Sequence, residues 1–361
     1  MRVCLNDAPY LLFEKYMSNT LVEKYKQLNN SFSKELVFHL GIDAGFFAEY
    51  SYMLHAMLYC LEHRIRFKLY SADANFSYSK GWTDYFKPFC EEVHEHFHHK
   101  YNRHPLTTSW KEIWKETNNL SLIKWKMKTS LLNFIGNLSA LFIYKKFIKL
   151  NNHLNYIPKE HYRIPELGID GDYLYAFQKM VEITWRFNHD TTLYCNKLIE
   201  TLSLPKSYVA CQIRGGDKIT ETSLLDPDWF VNFIHSHSPL KDVFVLTDDY
   251  RIYQQLLSID NQIRWYTFCQ PIETGYVNKN FERETGEQKK EQMLRFLASI
   301  QVMNDSSLFL GSITTGPSLF VLKNKYPGGV TVDCTSEQFP KVCRQTISKR
   351  SKVSINNLTQ P

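Results

Sequence analysis

No stretch of the sequence offers about 18 consecutive apolar residues, so a membrane-spanning helix is not expected. The first residues, Met1-Arg2-Val3-Cys4-Leu5-Asn6-Asp7, lack the unbroken apolar region of a secretory leader. C-x-x-C pairs are absent as well. The eight cysteines, at 4, 60, 90, 195, 211, 269, 334 and 343, are scattered, and several fall inside apolar periodic segments. Such spacing argues against a thiolate metal motif and for buried free thiols in a reducing, cytoplasmic setting. Neither an internal repeat nor a low-complexity tract is found, which excludes solenoid and linker-rich architectures. Charge of neither sign dominates, since 43 Lys+Arg against 37 Asp+Glu leave a net +6. So small a surplus suits an anionic small molecule or a membrane surface better than nucleic acid, for which the sequence has no signature.

What is present is the composition of a globular protein. With 361 residues, 43% hydrophobic and 15% aromatic, the chain can build two domains, each with its own core. Leu36-Val37-Phe38-His39-Leu40 reads as a buried strand. A turn bracketed by Gly41 and Gly45 follows, then a helix with Met53, Leu54, Met57, Leu58 and Leu61 on one face, and a strand from Arg66 to Tyr70. That order opens an α/β domain. A helical region from Tyr173 to Leu202 leads into a strand at Tyr208–Ile213. A second alternation then sets strands at Val243–Thr247, Arg264–Phe268, Leu308–Gly311 and Val330–Val332 among helices at Glu291–Asn304 and from Pro317 to about Lys323. The expected division is an N-terminal α/β domain over 1–203, a Rossmann-like domain over 204–345 and a basic polar tail over 346–361, with a ligand cleft between the two domains.

Chemistry concentrates in the second unit. The run Cys211-Gln212-Ile213-Arg214-Gly215-Gly216-Asp217-Lys218-Ile219-Thr220-Glu221 takes a buried strand straight into a charged glycine turn. Open α/β sheets place ligands at the carboxyl ends of their strands, and Gly215 and Gly216 let the backbone approach a phosphate. Arg214 there points to an anion. Arg214 with Asp217, Lys218 and Glu221, the pair Asp248-Asp249, and Thr314-Thr315 ahead of a Pro-started helix fall at three successive strand ends and are expected to meet in one crevice. The hydroxyls, N–H groups and dipole of the third cluster suit an anion. The plainer readings are a solvated turn and an ordinary N-cap. Asp248 and Asp249 are contiguous, so their side chains diverge, unlike a D-x-D pair that holds a metal against a diphosphate, and no metal is expected.

These residues carry a resemblance. Gly45-Phe46-Phe47-Ala48-Glu49-Tyr50 through Leu54-His55-Ala56-Met57-Leu58-Tyr59-Cys60, then Gly81-Trp82-Thr83-Asp84-Tyr85-Phe86-Lys87-Pro88, resembles the N-terminal part of the α1,6-fucosyltransferase family of animal N-glycan core and rhizobial Nod-factor enzymes. The Arg214 loop resembles that family's H-V-R-R-x-D-K loop, Thr247-Asp248-Asp249 its T-D-D strand end, and Asn304 to Ser318 its last donor-binding strand and turn. The resemblance runs from about residue 36 to 335. It implies a GT-B-like fold and an inverting, metal-independent transfer of fucose from GDP-fucose, with no cofactor, to a hydroxyl of a cell-surface or lipid-linked glycan. On this likeness Arg214 holds the β-phosphate, Lys218 adds charge, Thr315 contacts the diphosphate, and Glu221 is the base with Asp217 as runner-up. Gln212 stands in place of a histidine, Gly215 in place of a second arginine, and Ser299 about where an aspartate reads guanine. Gly311 and Ser318 occupy positions that pair as cysteines in the animal enzymes. The departures leave open a donor that is another GDP- or UDP-sugar, and a nucleotide-sugar-binding protein without catalysis.

Three further segments carry two readings each. Glu92, His94, Glu95, His96, His98 and His99 form the densest metal-like cluster, but their spacing matches no zinc motif and a solvated loop is expected. Lys124, Lys126, Lys128, Lys145, Lys146 and Lys149 enclose Leu131, Leu132, Phe134, Ile135, Leu138, Leu141, Phe142 and Ile143. Residues 123–150 therefore read as a helix in peripheral contact with an anionic membrane, or as a core helix of the acceptor side with lysines at its rim, the second being the expectation. Trp110, Trp114 and Trp125 read as stacking platforms for acceptor sugars or as core.

Overall fold

Apolar runs without polar alternation make strands only where both faces are covered, so those at 36–38, 209–211 and 243–245 call for parallel sheets flanked by helices. The computed structural model describes residues 20–41, 45–101, 120–144, 148–151, 158–215, 227–276, 281 and 284–344, and contains two such sheets. After helix α1 (20–30), strands β1 (Lys34–His39), β2 (Ile65–Tyr70), β3 (Glu91–Glu92) and β4 (Ile148–Asn151) form the first, in the order β3-β2-β1-β4 and all parallel. Helix α2 (Phe46–Glu62) joins β1 to β2, and helices α3 (Phe97–Tyr101) and α4 (Leu120–Tyr144) precede β4. A hairpin of β5 (His161–Ile164) and β6 (Ile169–Asp172) follows, then helices α5 (Tyr173–Thr184) and α6 (His189–Thr201). The second sheet comprises β7 (Val209–Gln212), β8 (Asp242–Leu246), β9 (Arg264–Tyr266), β10 (Leu308–Gly311) and β11 (Gly329–Thr331), in the order β11-β10-β7-β8-β9 and again all parallel. Helices α7 (Pro227–His237), α8 (Tyr250–Ile259), α9 (Gly286–Asp305) and α10 (Gly316–Lys325) connect these strands. The α/β class with two parallel-sheet units is therefore the one expected.

Local chemistry sets the helix boundaries. The single helical region expected over 173–202 is two helices, because Asn188 starts the second. Its Oδ1 accepts from Thr191 N–H (2.9 Å), while its Nδ2 donates to the carbonyls of Thr83 (3.1 Å) and Asp84 (3.0 Å). Asp172 caps α5 in the same manner, accepting from Tyr175 N–H at 2.9 Å. A capping box of Thr285 and Gln288 starts α9 upstream of the expected Glu291.

Helix α5 is wedged between α2 and α10, and a seam of aromatic rings joins the two sheets through it. The Phe47 ring stacks on Phe320 with centroids 4.7 Å apart, and Trp185 lies 4.8 Å from Phe320 and 5.8 Å from Phe47. One polar lock crosses the same interface. The Tyr173 hydroxyl accepts from Lys323 Nζ (3.0 Å) and shares a hydrogen bond with His55 Nε2 (2.8 Å), all three side chains being buried. Lys323 also lies over the Phe177 ring, 4.9 Å from its centroid. Burial pushes the Tyr173 phenol well up, so it stays protonated there.

Two expectations are corrected. The histidine-rich stretch is not simply solvated: His98 is buried against the Tyr70 ring (5.0 Å), and burial takes its imidazole pKa down to about 4. Among the described residues no three His, Cys, Asp or Glu side chains gather to hold a metal ion. Helix α4 is not enclosed in a core either. It packs on α3 and β4, yet Met127 (60%), Leu131 (58%), Phe134 (61%), Leu138 (42%) and Leu141 (44%) are exposed. A helix apolar all round has more than one face to cover, and packing covers only one of them. Trp110 and Trp114, and the side chain of Trp125, lie outside the described residues. The seven cysteines among those residues are free thiols, and no helix there is long and apolar enough to cross a membrane.

The seam makes a quantitative expectation. Truncating Phe47 to Ala, a residue 4% exposed, should cost about 3–5 kcal/mol in urea-unfolding free energy. A loss below about 1.5 kcal/mol would mean that the rings touch without holding the sheets together.

Candidate active site

At the end of β7 the ladder continues for one residue beyond the strand, with Ile213 N–H donating to Leu246 O at 3.0 Å, and the chain then turns through Arg214 and Gly215. The Asp248 carboxylate, at the end of neighbouring β8, fastens this turn. Its Oδ1 accepts from Gly215 N–H (2.7 Å) and its Oδ2 from Tyr276 N–H (3.0 Å), while its backbone carbonyl accepts from Gly275 N–H (2.8 Å). Arg214 Nε lies 3.8 Å from Asp248 Oδ2, and the guanidinium carbon sits 5.7 Å from the centre of the Tyr276 ring. One carboxylate thus links two strand ends and the 275–276 turn around a partly exposed arginine. Gly215 is required by close approach rather than by dihedral angle, since a Cβ there would sit 2.9 Å from Asp249 Cβ. A larger side chain at this position would have to displace the start of α8.

Asp249 points elsewhere. It caps α8, accepting from Arg251 N–H (3.0 Å) and from the Arg251 guanidinium (2.6 Å). The hydrogen bonds from Arg251 hold its carboxyl below the usual carboxylate range. The two neighbouring aspartates therefore diverge onto separate protein donors. A spaced carboxylate pair that the sequence reading passed over, Asp170 with Asp172, is also engaged: Asp170 pairs with His161 (2.7 Å) and Asp172 caps α5. A further pair, Asp226 with Asp228, lies partly outside the described residues.

At the end of β10, Asp333 accepts from Ile313 N–H (2.6 Å), and the Ser312 and Thr314 hydroxyls bond each other (2.7 Å). Thr315 donates its hydroxyl to Gln212 Oε1 (2.7 Å), and that same oxygen accepts from Ser318 N–H (2.9 Å) in the first turn of α10. Gln212 thus ties the end of β7 to the start of α10 by taking up both donors there. A Cβ built on Gly311 would run into Ser318 Oγ, so the end of β10 and the first turn of α10 are packed closely together. Ser299 lies inside α9, buried, with its hydroxyl returned to the Arg295 carbonyl at 3.0 Å. Gly216, Asp217, Lys218 and Glu221 lie outside the described residues. Of the residues singled out from sequence, the fold brings together Gln212, Arg214, Gly215, Asp248, Thr314 and Thr315, and it sets Asp249 and Ser299 to structural bonds. Cys211 is buried, and burial raises its thiol, so it is no nucleophile.

The first sheet touches this unit at the start of α10. A Cβ on Gly316, at the start of α10, would approach Phe47 Cβ to 3.0 Å, so the helix starts that follow β1 and β10 touch. Here the sequence reading missed two carboxylates. Buried Glu49 accepts from Gly41 N–H (2.6 Å), which pins the loop after β1 to the first turn of α2. Asp73 bridges His39 Nε2 (2.8 Å) and His99 Nδ1 (2.7 Å). Burial pushes the Asp73 carboxyl up, but hydrogen bonds from the two histidines outweigh it and hold it below its ordinary value. The helical position of Glu49, in the first turn after a glycine loop, was a usable signal. The Asp73 bridge spans residues far apart in the chain and offered none. A depression of about 420 Å³ lined by Tyr175, Gln178, Lys179, Glu182, Trp185 and Asn324 lies toward the other end of α10 and contains none of these groups.

No family model and no curated protein matches the chain. Among solved structures it is similar to NodZ alpha-1,6-fucosyltransferase soaked with GDP-fucose, at 9% identity and a TM-score of 0.48, over 81% of this chain and 92% of that one. It is also similar to fucosyltransferase NodZ from Bradyrhizobium, at 10% identity and a TM-score of 0.47 over the same shares, 81% and 92%. A third likeness is to POFUT1 in complex with GDP-fucose, at 11% identity and a TM-score of 0.45, over 84% of this chain and 98% of that one.

The tight approach of Gly215 to β8 can be tested directly. Gly215→Ala should destabilise the fold by about 1–3 kcal/mol, because Asp249 Cβ belongs to a capped helix start and has no room to retreat. Gly286→Ala, where a Cβ meets nothing nearer than 3.5 Å, should be neutral or slightly stabilising. Equal melting temperatures for the two variants would refute the steric account.

Proposed function

We propose that the chain is an inverting glycosyltransferase that moves fucose from GDP-fucose to a hydroxyl of a glycan. The observation that carries the proposal is the Arg214 turn, partly exposed at the carboxyl end of β7 and fastened there by Asp248. A leaving nucleoside diphosphate gains negative charge as its bond to the anomeric carbon breaks. A guanidinium fixed in advance stabilises that charge without reorganisation, and its fork fits two phosphate oxygens at once. In the reaction the acceptor oxygen attacks the anomeric carbon from the face opposite the diphosphate. The carbon–oxygen bond to GDP breaks, and the hydroxyl proton passes to a carboxylate, for which Glu221 is the first candidate and Asp217 the second. Lys218 adds positive charge to the same loop. The free thiols of the described residues support a reducing, cytoplasmic site of action.

Two observations favour narrower alternatives. Ser299 is bonded within its own helix rather than open to a base, which favours a nucleotide other than guanosine diphosphate. Gln212 already holds Thr315 and Ser318, and Gly215 leaves one arginine in the turn, which favours a protein that binds the nucleotide sugar without turnover. Incubation of the pure chain with GDP-fucose and an acceptor glycan, followed by GDP release, separates these readings. UDP-sugars serve as the competing donors, and binding without release would identify the non-catalytic one.

Within the proposed reaction, Arg214→Lys should lose about 2–4 kcal/mol of transition-state stabilisation, since an ammonium cannot reproduce the two-pronged contact. Retention of more than about half the turnover would place the diphosphate anchor elsewhere. Glu221→Gln should bind donor normally and transfer roughly 10²–10⁴-fold more slowly. Near-normal transfer in that variant beside an inactive Asp217→Asn would move the base to Asp217. Turnover should survive EDTA, because Asp248 and Asp249 are each committed to protein donors. Loss of activity restored by Mn²⁺ would overturn that expectation.

A further inference from the structure

We propose that the outward face of α4 is a docking surface for an anionic lipid bilayer, with the helix lying in the plane of the interface. Met127, Leu131, Phe134, Leu138 and Leu141 are all exposed and recur at alternating intervals of four and three, which places them on one narrow strip of the helix. The strip runs for about 21 Å at about 1.5 Å per residue. Gly136, half a turn away, is buried, and the helix packs against α3 and β4. The strip is therefore a second apolar face, beyond the one that folding covers.

Charge identifies its occupant. From 120 to 151 the sequence has lysines at 124, 126, 128, 145, 146 and 149 and no aspartate or glutamate. Lys124 and Lys128 are exposed beside the start of the strip. Apolar side chains bordered by cations match an interface of acyl chains beneath anionic headgroups. Self-association fits less well, because a two-fold contact through this strip would bring the lysines of both copies together. An acidic protein partner calls for a shaped groove, whereas the strip is the convex side of one helix, and a fluid bilayer needs no shape complementarity. The inference stands apart from the proposed transfer reaction and its test requires no turnover.

The test is co-sedimentation of the full chain with phosphatidylcholine vesicles with and without phosphatidylserine. The chain should pellet with the phosphatidylserine vesicles, progressively less as salt is raised. The double variant Leu131→Asp/Phe134→Asp should bind at least about tenfold less tightly at an unchanged melting temperature, since both side chains are exposed. Lys124→Glu/Lys128→Glu should lose about tenfold or more on the anionic vesicles and little on the neutral ones. Failure of the wild-type chain to pellet, or pelleting that both double variants retain, would overturn the proposal. So would a concentration-dependent dimer dispersed by Leu131→Asp/Phe134→Asp, which would assign the strip to a second copy. Binding to polyglutamate without binding to vesicles would assign it to an acidic protein, and would also overturn the proposal.

Discussion

The stacking of Phe47 on Phe320, with Trp185 against both, is the contact on which the rest of the molecule depends. Two parallel sheets hold a fixed relation to each other only when something sets their separation. The aromatic seam does so by burying large rings from α2, α10 and the end of α5 in one cluster. Each such ring contributes about 1.5–3 kcal/mol of burial, with about 0.5–1.5 kcal/mol more for favourable ring geometry. Position 316 has to be glycine or nearly so for the helix starts to meet, because a Cβ there already stands 3.0 Å from Phe47 Cβ. The polar lock of His55, Tyr173 and Lys323 sets the orientation of the same surfaces. A hydrogen bond between buried groups is costly to leave unmade, so it discriminates against sliding.

Within the frame held by the seam, the candidate site is organised by which carboxylates are engaged and which cation is left partly exposed. Asp248 and Asp249 are neighbours in sequence with opposite duties. The first joins β7 to the 275–276 turn and steadies Arg214, and the second serves α8 and Arg251. A pair of adjacent aspartates at a strand end thus supplies one site-building group and one helix cap.

Much of the fold was legible because parallel strands buried on both faces must be written as unbroken apolar runs. Val209-Ala210-Cys211 and Val243-Phe244-Val245 can be little else. The glycine turn after β7 was legible for a related reason, since charge directly after a buried strand marks the strand's carboxyl end. Other features were hidden by the physics of the pattern. Helix α4 is apolar around most of its circumference, so its sequence could not say which face the protein covers. His98 lies in a stretch whose composition looks solvated, yet its ring packs against Tyr70 and Phe97. The pairing of Gln212 with Thr315 and Ser318 joins residues more than a hundred positions apart, and a single glutamine in a strand gives no sign of its partner.

The Gln212 contact has a consequence for ligand exchange. Its amide oxygen is a tethered neutral acceptor, held at the spot where the first turn of α10 presents an N–H and a hydroxyl. If the diphosphate of the proposed reaction binds there, it must displace that intramolecular competitor before it reaches either donor, and its observed affinity is reduced by the fraction of time the glutamine is in place. A ligand that engages Arg214 at the same time brings its second group to the helix at high local concentration and can compete on better terms. On the proposed function the glutamine would set a threshold, favouring a ligand that also engages Arg214 over one that meets the helix start alone.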